Sequence, residues 1–137
     1  MNAHAPYEFT RDDARQRLRV RLRRPPNAAD YIAIVDRQIA EDCWHFDIVY
    51  DVRAQLMGIS SAEDIQAATE HVLQQVARLG PRGAVAVVSQ QPDIVAAAQV
   101  YAYRMPAVNV QVFWDIADAE RWLDQLRAPV ADDGSPT

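Results

Sequence analysis

The chain has no lysine, one cysteine, four glycines, three histidines and no long uninterrupted apolar run. A lone Cys43 cannot close an internal disulfide. Together with the missing leading apolar segment in Met1 to Thr10, this sets the expectation of a reduced, cytoplasmic setting. No stretch approaches the roughly 18 apolar residues of a membrane span. His4, His45 and His71 lie far apart with no Cys or carboxylate at metal-ligand spacing, so no metal is expected. No P-loop, nucleophile elbow or glycine-rich dinucleotide fingerprint occurs, so no cofactor and no catalytic residue is assigned. Cys43 has no general-base partner by spacing, and Cys43-Trp44 reads as packing. The missing lysines say less: all 14 basic residues are arginine, which reflects genome composition as readily as physics.

What is present suffices for one domain with a real core: 137 residues, half of them hydrophobic. The net charge of −5 is unevenly spread. Residues 1–24 carry seven Arg against Glu8, Asp12 and Asp13, and the remainder carries seven Arg against sixteen acids. The excess at the front is ordered. Arg15, Arg17, Arg19, Arg21 and Arg23 alternate with Leu18, Val20 and Leu22, so a β-strand here would line one face with guanidiniums and bury the other.

Around this ladder the pattern alternates between the two periodicities. Tyr7–Thr10, a turn at Arg11–Ala14 and the ladder read as an antiparallel hairpin ended by Pro25-Pro26. Asn27 is an N-cap for a helix over 27–41 carrying Ala28, Ile32, Val35 and Ile39, although Tyr31–Val35 is rich in β-formers. Phe46–Asp51 reads as a strand, followed by a loop containing Gly58. Ser60 or Ser61 can cap the next helix, whose stripe is Ile65, Ala68, Val72, Val76 and Leu79 and whose stop is Gly80-Pro81. Ala84–Val88 is continuously apolar, as a strand buried on both faces should be. Pro92 opens a helix with Ile94, Ala98, Tyr101 and Met105 inward, closed by Pro106. Val108, Val110 and Val112 alternate with polar residues, as on an edge strand, and Asp115 caps a last helix.

The expected architecture is an α/β fold of order β-β-α-β-α-β-α-β-α: an N-terminal antiparallel hairpin, then parallel strands in a mixed five-stranded sheet, with about four helices. Right-handed crossovers make the second to fifth strands parallel. In sequential strand order the three crossover helices share one face and leave the other partly open. The domain is expected over 6–126, with 127–137 a disordered tail of Pro, Gly, Asp and Ser.

Four segments in this order resemble the STAS fold of anti-sigma-factor antagonists, and more narrowly the bacterial SpoIIAA-like (STAS-like) domains. They are Phe46–Arg53, Ser61–Ile65, Ala84–Val88, and Val110–Asp115 with Ala119–Leu123. The resemblance implies a non-enzymatic interaction or regulatory module in a bacterial cytosol. It also implies a phosphorylated Ser or Thr at the start of the helix after the third strand. Ser60 and Ser61 stand there, after a longer loop and without the family's Asp-Ser-Ser-Gly-like signature. A further implication is a carrier or sensor of a small apolar, lipid-like ligand, which requires a lined cavity between the sheet and a mobile helix. An uncharacterised enzyme is the remaining alternative and requires a cleft where titratable groups converge.

Ligands of open α/β sheets gather at the C-terminal edge of the parallel strands. That edge supplies Asp51, Arg53, Ser89 and Trp114 as candidate ligand-binding residues, beside Gln90 and Asp115. Acids at the helix starts, among them Asp30, Glu63, Asp93 and Asp118, each stabilise their helix by roughly 0.3 to 1 kcal/mol and repel an anion arriving there, which disfavours nucleotides. Arg17, Arg19 and Arg21 are the candidate interaction surface, for a protein partner or self-association. No aromatic interleaves them, so nucleic acid is not the expected partner. A solvated or internally paired sheet face is the expectation, with Asp47, Asp51 and Glu8 as the available acids.

Overall fold

The computed structural model describes residues 7–53, 60–105 and 108–128. The elements are β1 (Tyr7–Asp12), β2 (Arg17–Leu22), α1 (Ala28–Ala40), β3 (Asp47–Asp51), α2 (Ala62–Leu79), β4 (Val85–Val88), α3 (Pro92–Arg104), β5 (Val110–Phe113) and α4 (Ile116–Arg127). The sheet order is β1-β2-β3-β4-β5, with β1 and β2 antiparallel and every later pair parallel. This is the expected architecture, with strands in sequential order.

Local chemistry sets the boundaries. In the capping box of α1, Asp30 N–H donates to Asn27 Oδ1 at 2.9 Å and Asn27 N–H donates to Asp30 Oδ2 at 3.0 Å. Capping overrides the β-rich Tyr31–Val35 run, because the same residues bury Ile34 and Val35 at helical spacing. Ser61, not Ser60, caps α2 by accepting from Asp64 N–H at 3.0 Å, and Gly80 at φ 89° ends that helix. Asp115 caps α4 by accepting from Asp118 N–H at 2.8 Å.

Two details depart from the sequence expectation. The hairpin turn extends to Gln16, at φ 53°, so β2 contains three ladder arginines: Arg15 sits in the turn and Arg23 beyond the strand end. Met105 does not continue α3 but caps it, fully buried. Gly58, Pro106 and tail residues 129–137 lie outside the described residues.

The sheet separates two cores. Leu18, Val20, Leu22, Ile48, Tyr50 and Val85 face α1, α2 and α3. Val49, Ala86 and Val88 face Ala119 and Leu123 of α4. Parallel register sets Arg17 beside Asp47, Arg19 beside Val49 and Arg21 beside Asp51, so the ladder shares the α4 face. The face opposite the crossover helices is thus half covered: α4 lies over β3, β4 and β5, and the ladder flanks it.

Candidate functional site

A cavity of about 120 Å³ opens between the sheet and the three crossover helices. Its floor is Leu22 of β2, Tyr50 of β3, Val52, and Val85 and Val87 of β4. Its walls are Val35 of α1, Ile65, Ala68 and Val72 of α2, and Ile94, Ala97, Ala98 and Tyr101 of α3. Small residues on α2 and α3 leave the space, since Ala68, Ala97 and Ala98 stand where larger side chains would reach the sheet. The size compares with the ~150 Å³ apolar cavities that admit benzene. An apolar enclosure with a few convergent polar groups is the usual form of a small-molecule site.

Few polar groups reach this space. Ser60 Oγ donates to Pro26 O at 2.6 Å and lies 3.3 Å from Tyr31 OH, which therefore donates to it. Burial pushes the Tyr31 hydroxyl up to about 12, partly opposed by Ser60. The third polar region is Arg82, in the connection between α2 and β4 and only 7% exposed. Its guanidinium donates to Gln38 Oε1 at 3.0 Å and Tyr50 OH at 3.1 Å, also interacts with Tyr101, and sits over the Trp44 ring. Burial opposes its charge, but these tyrosines hold it above the ordinary arginine value. Burial likewise pushes the Tyr101 hydroxyl up, with Arg82 pulling the other way.

Neighbouring bonds fix this arrangement. Gln38, fully buried in the last turn of α1, donates to Cys43 O at 3.0 Å and Trp44 O at 3.3 Å. Trp44 Nε1 donates to Gly80 O at 3.0 Å. Gly83 follows Arg82 because its backbone presses on β3's entry: a Cβ there would stand 2.1 Å from Phe46 O.

The α4 face handles its cations differently. Arg17, 4% exposed, donates to Glu120 Oε1 and, at 2.9 Å, to Asp124 Oδ1; Arg19 donates to Glu120 Oε2 at 2.9 Å. Burial opposes the Arg17 charge, yet Asp124 and Glu120 keep it above its ordinary value. Glu8 pairs with Arg23, as the hairpin suggested, whereas Asp47 accepts from Arg127 Nε at 2.7 Å and Ala84 N–H at 3.0 Å. The ladder is internally paired, largely through α4 acids that strand neighbours alone do not reveal.

The C-terminal edge does not converge on one pocket. Asp51 and Arg53 form a bidentate pair, both contacts at 3.0 Å. Burial raises the Asp51 carboxyl, but Arg53 and the charge of Arg21 hold it below its ordinary value. Buried Ser89 accepts from Gln91 N–H at 3.1 Å. Trp114 is 64% exposed, and its carbonyl accepts from Gln90 at 3.2 Å. None of Asp51, Arg53, Ser89 and Trp114 lines the apolar cavity; of the sequence candidates, only Ser60 does. Ser61 is exposed on the surface as a cap.

The sequence reading missed Arg82, Tyr50 and Gln38. Its one usable signal was a charge set directly before the most apolar strand, in Pro81-Arg82-Gly83. Among the described residues no group of His, Cys, Asp and Glu is placed to hold a metal ion, and no helix is long and apolar enough to cross a membrane.

No family model and no curated protein matches the chain. Among solved structures, it is similar to an uncharacterised protein of the DUF3478 family with a SpoIIAA-like fold from Shewanella loihica PV-4. The two share 18% identity over 85% of this chain and 91% of that one, with a TM-score of 0.58. The likeness shows the SpoIIAA-like fold that the four sequence segments suggested.

Proposed function

We propose that this SpoIIAA-like fold serves as a non-enzymatic module, a carrier or sensor that holds a small, largely apolar molecule between the sheet and α1, α2 and α3. The cavity carries this reading: about 120 Å³ of space between the sheet and the crossover helices, walled almost entirely by aliphatic and aromatic side chains. Its polar lining is one serine, one arginine and three tyrosines, a set suited to orienting a ligand. A bacterial cytoplasmic setting belongs to the same proposal, supported by the free, buried Cys43 thiol.

Native mass spectrometry of freshly purified protein is expected to show an adduct that denaturation releases. Added 1-hexanol at about ten times its dissociation constant should contribute about 1.4 kcal/mol and raise Tm by roughly 4–6 °C. Ala98→Phe, which fills the cavity, should abolish both effects. A protein that carries no adduct and whose Tm ignores hexanol would not be a carrier of this kind.

A further inference from the structure

We infer that the cavity's occupant is a small amphiphilic anion, a monocarboxylate with a compact apolar body, and that Arg82 binds its charged end; this rests on the cavity reading above. Three observations point there. Arg82 lines the cavity, is 7% exposed, and makes no ion pair with any described residue. Its located partners, Gln38 Oε1 and Tyr50 OH, are an amide and a hydroxyl, not carboxylates, and its Nε–H has no partner among the described residues. Among the described residues that line the cavity there is no Asp or Glu.

A guanidinium withdrawn from water without a counter-charge is among the costliest groups a fold can bury, and a carboxylate is the partner its donor geometry fits best. Tyr101 does not supply that charge, because burial pushes its hydroxyl up and keeps it protonated, and Tyr50 meets Arg82 through its hydroxyl oxygen. They are placed to complete a headgroup site around the arginine. One fixed cation matches one negative charge, so a monocarboxylate fits where a phosphate dianion would bring an unmatched charge into an apolar space. The volume, close to that of cavities that admit benzene, limits the body to an aromatic ring or a short acyl chain.

Three probes of equal chain length separate charge from shape: hexanoate, 1-hexanol and hexylammonium, each titrated calorimetrically into the full chain at neutral pH. Hexanoate should bind at least tenfold more tightly than 1-hexanol, and hexylammonium at least tenfold more weakly. In Arg82→Gln, hexanoate should lose its preference and bind no more tightly than 1-hexanol does to the same variant. Equal binding of hexanoate and 1-hexanol by the native chain overturns the inference and leaves the cavity reading standing. A hexanoate preference that survives in folded Arg82→Gln also overturns it, leaving Arg82 a structural tie. Should Arg82→Gln not fold, Ala98→Phe decides: loss of hexanoate binding places the anion in the cavity with Arg82, the one cation among its described lining residues, and retention places it elsewhere and overturns the inference. Failure of all three probes to bind the native chain refutes the cavity reading and this inference together.

Discussion

Arg17 and Arg82 are buried to nearly the same degree, 4% and 7% exposed, on opposite sides of one sheet, and each has a guanidinium Nε without a partner. Their counter-charges differ. Arg17 meets Glu120 and Asp124 of α4, while Arg82 meets a glutamine amide and tyrosine hydroxyls. The first is electrostatically closed: cation and carboxylates come from the same chain and tie a helix to the hairpin. The second is open, with a full positive charge beside an apolar cavity and no acid among its described lining residues. Burial alone therefore does not separate the two arginines; the missing counter-charge among the described residues does. The conspicuous ladder is largely paired within the fold, and the inconspicuous Arg82 is the residue on which the proposed anion site rests.

The sharpest way to break this contrast is to replace each arginine by a methionine of similar length. Arg17→Met strands Glu120, only 18% exposed, with Arg15 and Arg19 as its remaining partners, and leaves Asp124 in solvent. Because both acids keep some access to water or to another cation, the loss should fall below the 3–5 kcal/mol of a wholly buried pair, at about 2 kcal/mol. Arg82→Met strands no carboxylate; the roughly 1–3 kcal/mol lost at the Gln38 amide and tyrosine hydroxyls is offset by removing a buried cation that has no counter-charge, so the net cost should be about 1 kcal/mol or less. Urea unfolding with unchanged m-values measures both. If Arg82→Met proves the more damaging, Arg82 is a structural tie and the contrast fails.

The two sides should also fail at opposite ends of the pH scale. On the ladder side Asp51 is held below its ordinary value by Arg53 and Arg21 despite burial. A lowered folded-state value means stability present above the unfolded carboxylate value and lost as pH falls through the folded one. On the cavity side burial raises Tyr31 to about 12 from 10.0, so its contribution is complete below pH 10 and lost as pH rises toward 12. Tyr101 acts in the same direction. Asp51→Asn should flatten the acid limb of the stability profile and leave the alkaline limb alone, and Tyr31→Phe should do the reverse. Denaturant midpoints measured across pH, with tyrosinate absorbance followed on the alkaline side, test the assignment. A single variant that moved both limbs would show the two faces to be coupled.

The fold was legible because its signals are local. Period-two alternation in β2, the Asn27 and Asp115 caps and the continuous apolar run of β4 each specify an element from its own few residues. The site was not legible because nothing local marks it. Arg82 becomes unusual only when Tyr50 and Gln38, 32 and 44 residues away in sequence, close around it. Ala97 and Ala98 become a cavity wall only when α3 is laid on the sheet. The same limit applied to the ladder. Strand neighbours suggested Asp47 and Asp51 as partners, whereas Glu120 and Asp124 lie 103 and 107 residues from Arg17.

The smallest expected effect tests the closed side. Arg19 is bound to Glu120 and half-exposed, and Arg21 lies within the field of Asp51, which Arg53 already holds. The ladder's positive charge is therefore mostly spent within the fold, on a chain whose net charge is −5. Polyanion binding requires cations free to displace condensed counter-ions, and exposed charges are screened over about 8 Å at physiological salt. The native chain should pass a heparin column without retention under those conditions. Arg19→Gln with Arg21→Gln should elute at the same position and change stability by no more than about 0.5 kcal/mol, as expected for exposed pairs. Firm retention of the native chain, lost in the double variant, would show that α4 leaves the ladder enough uncompensated charge to bind a polyanion, and both sides of the sheet would then be open.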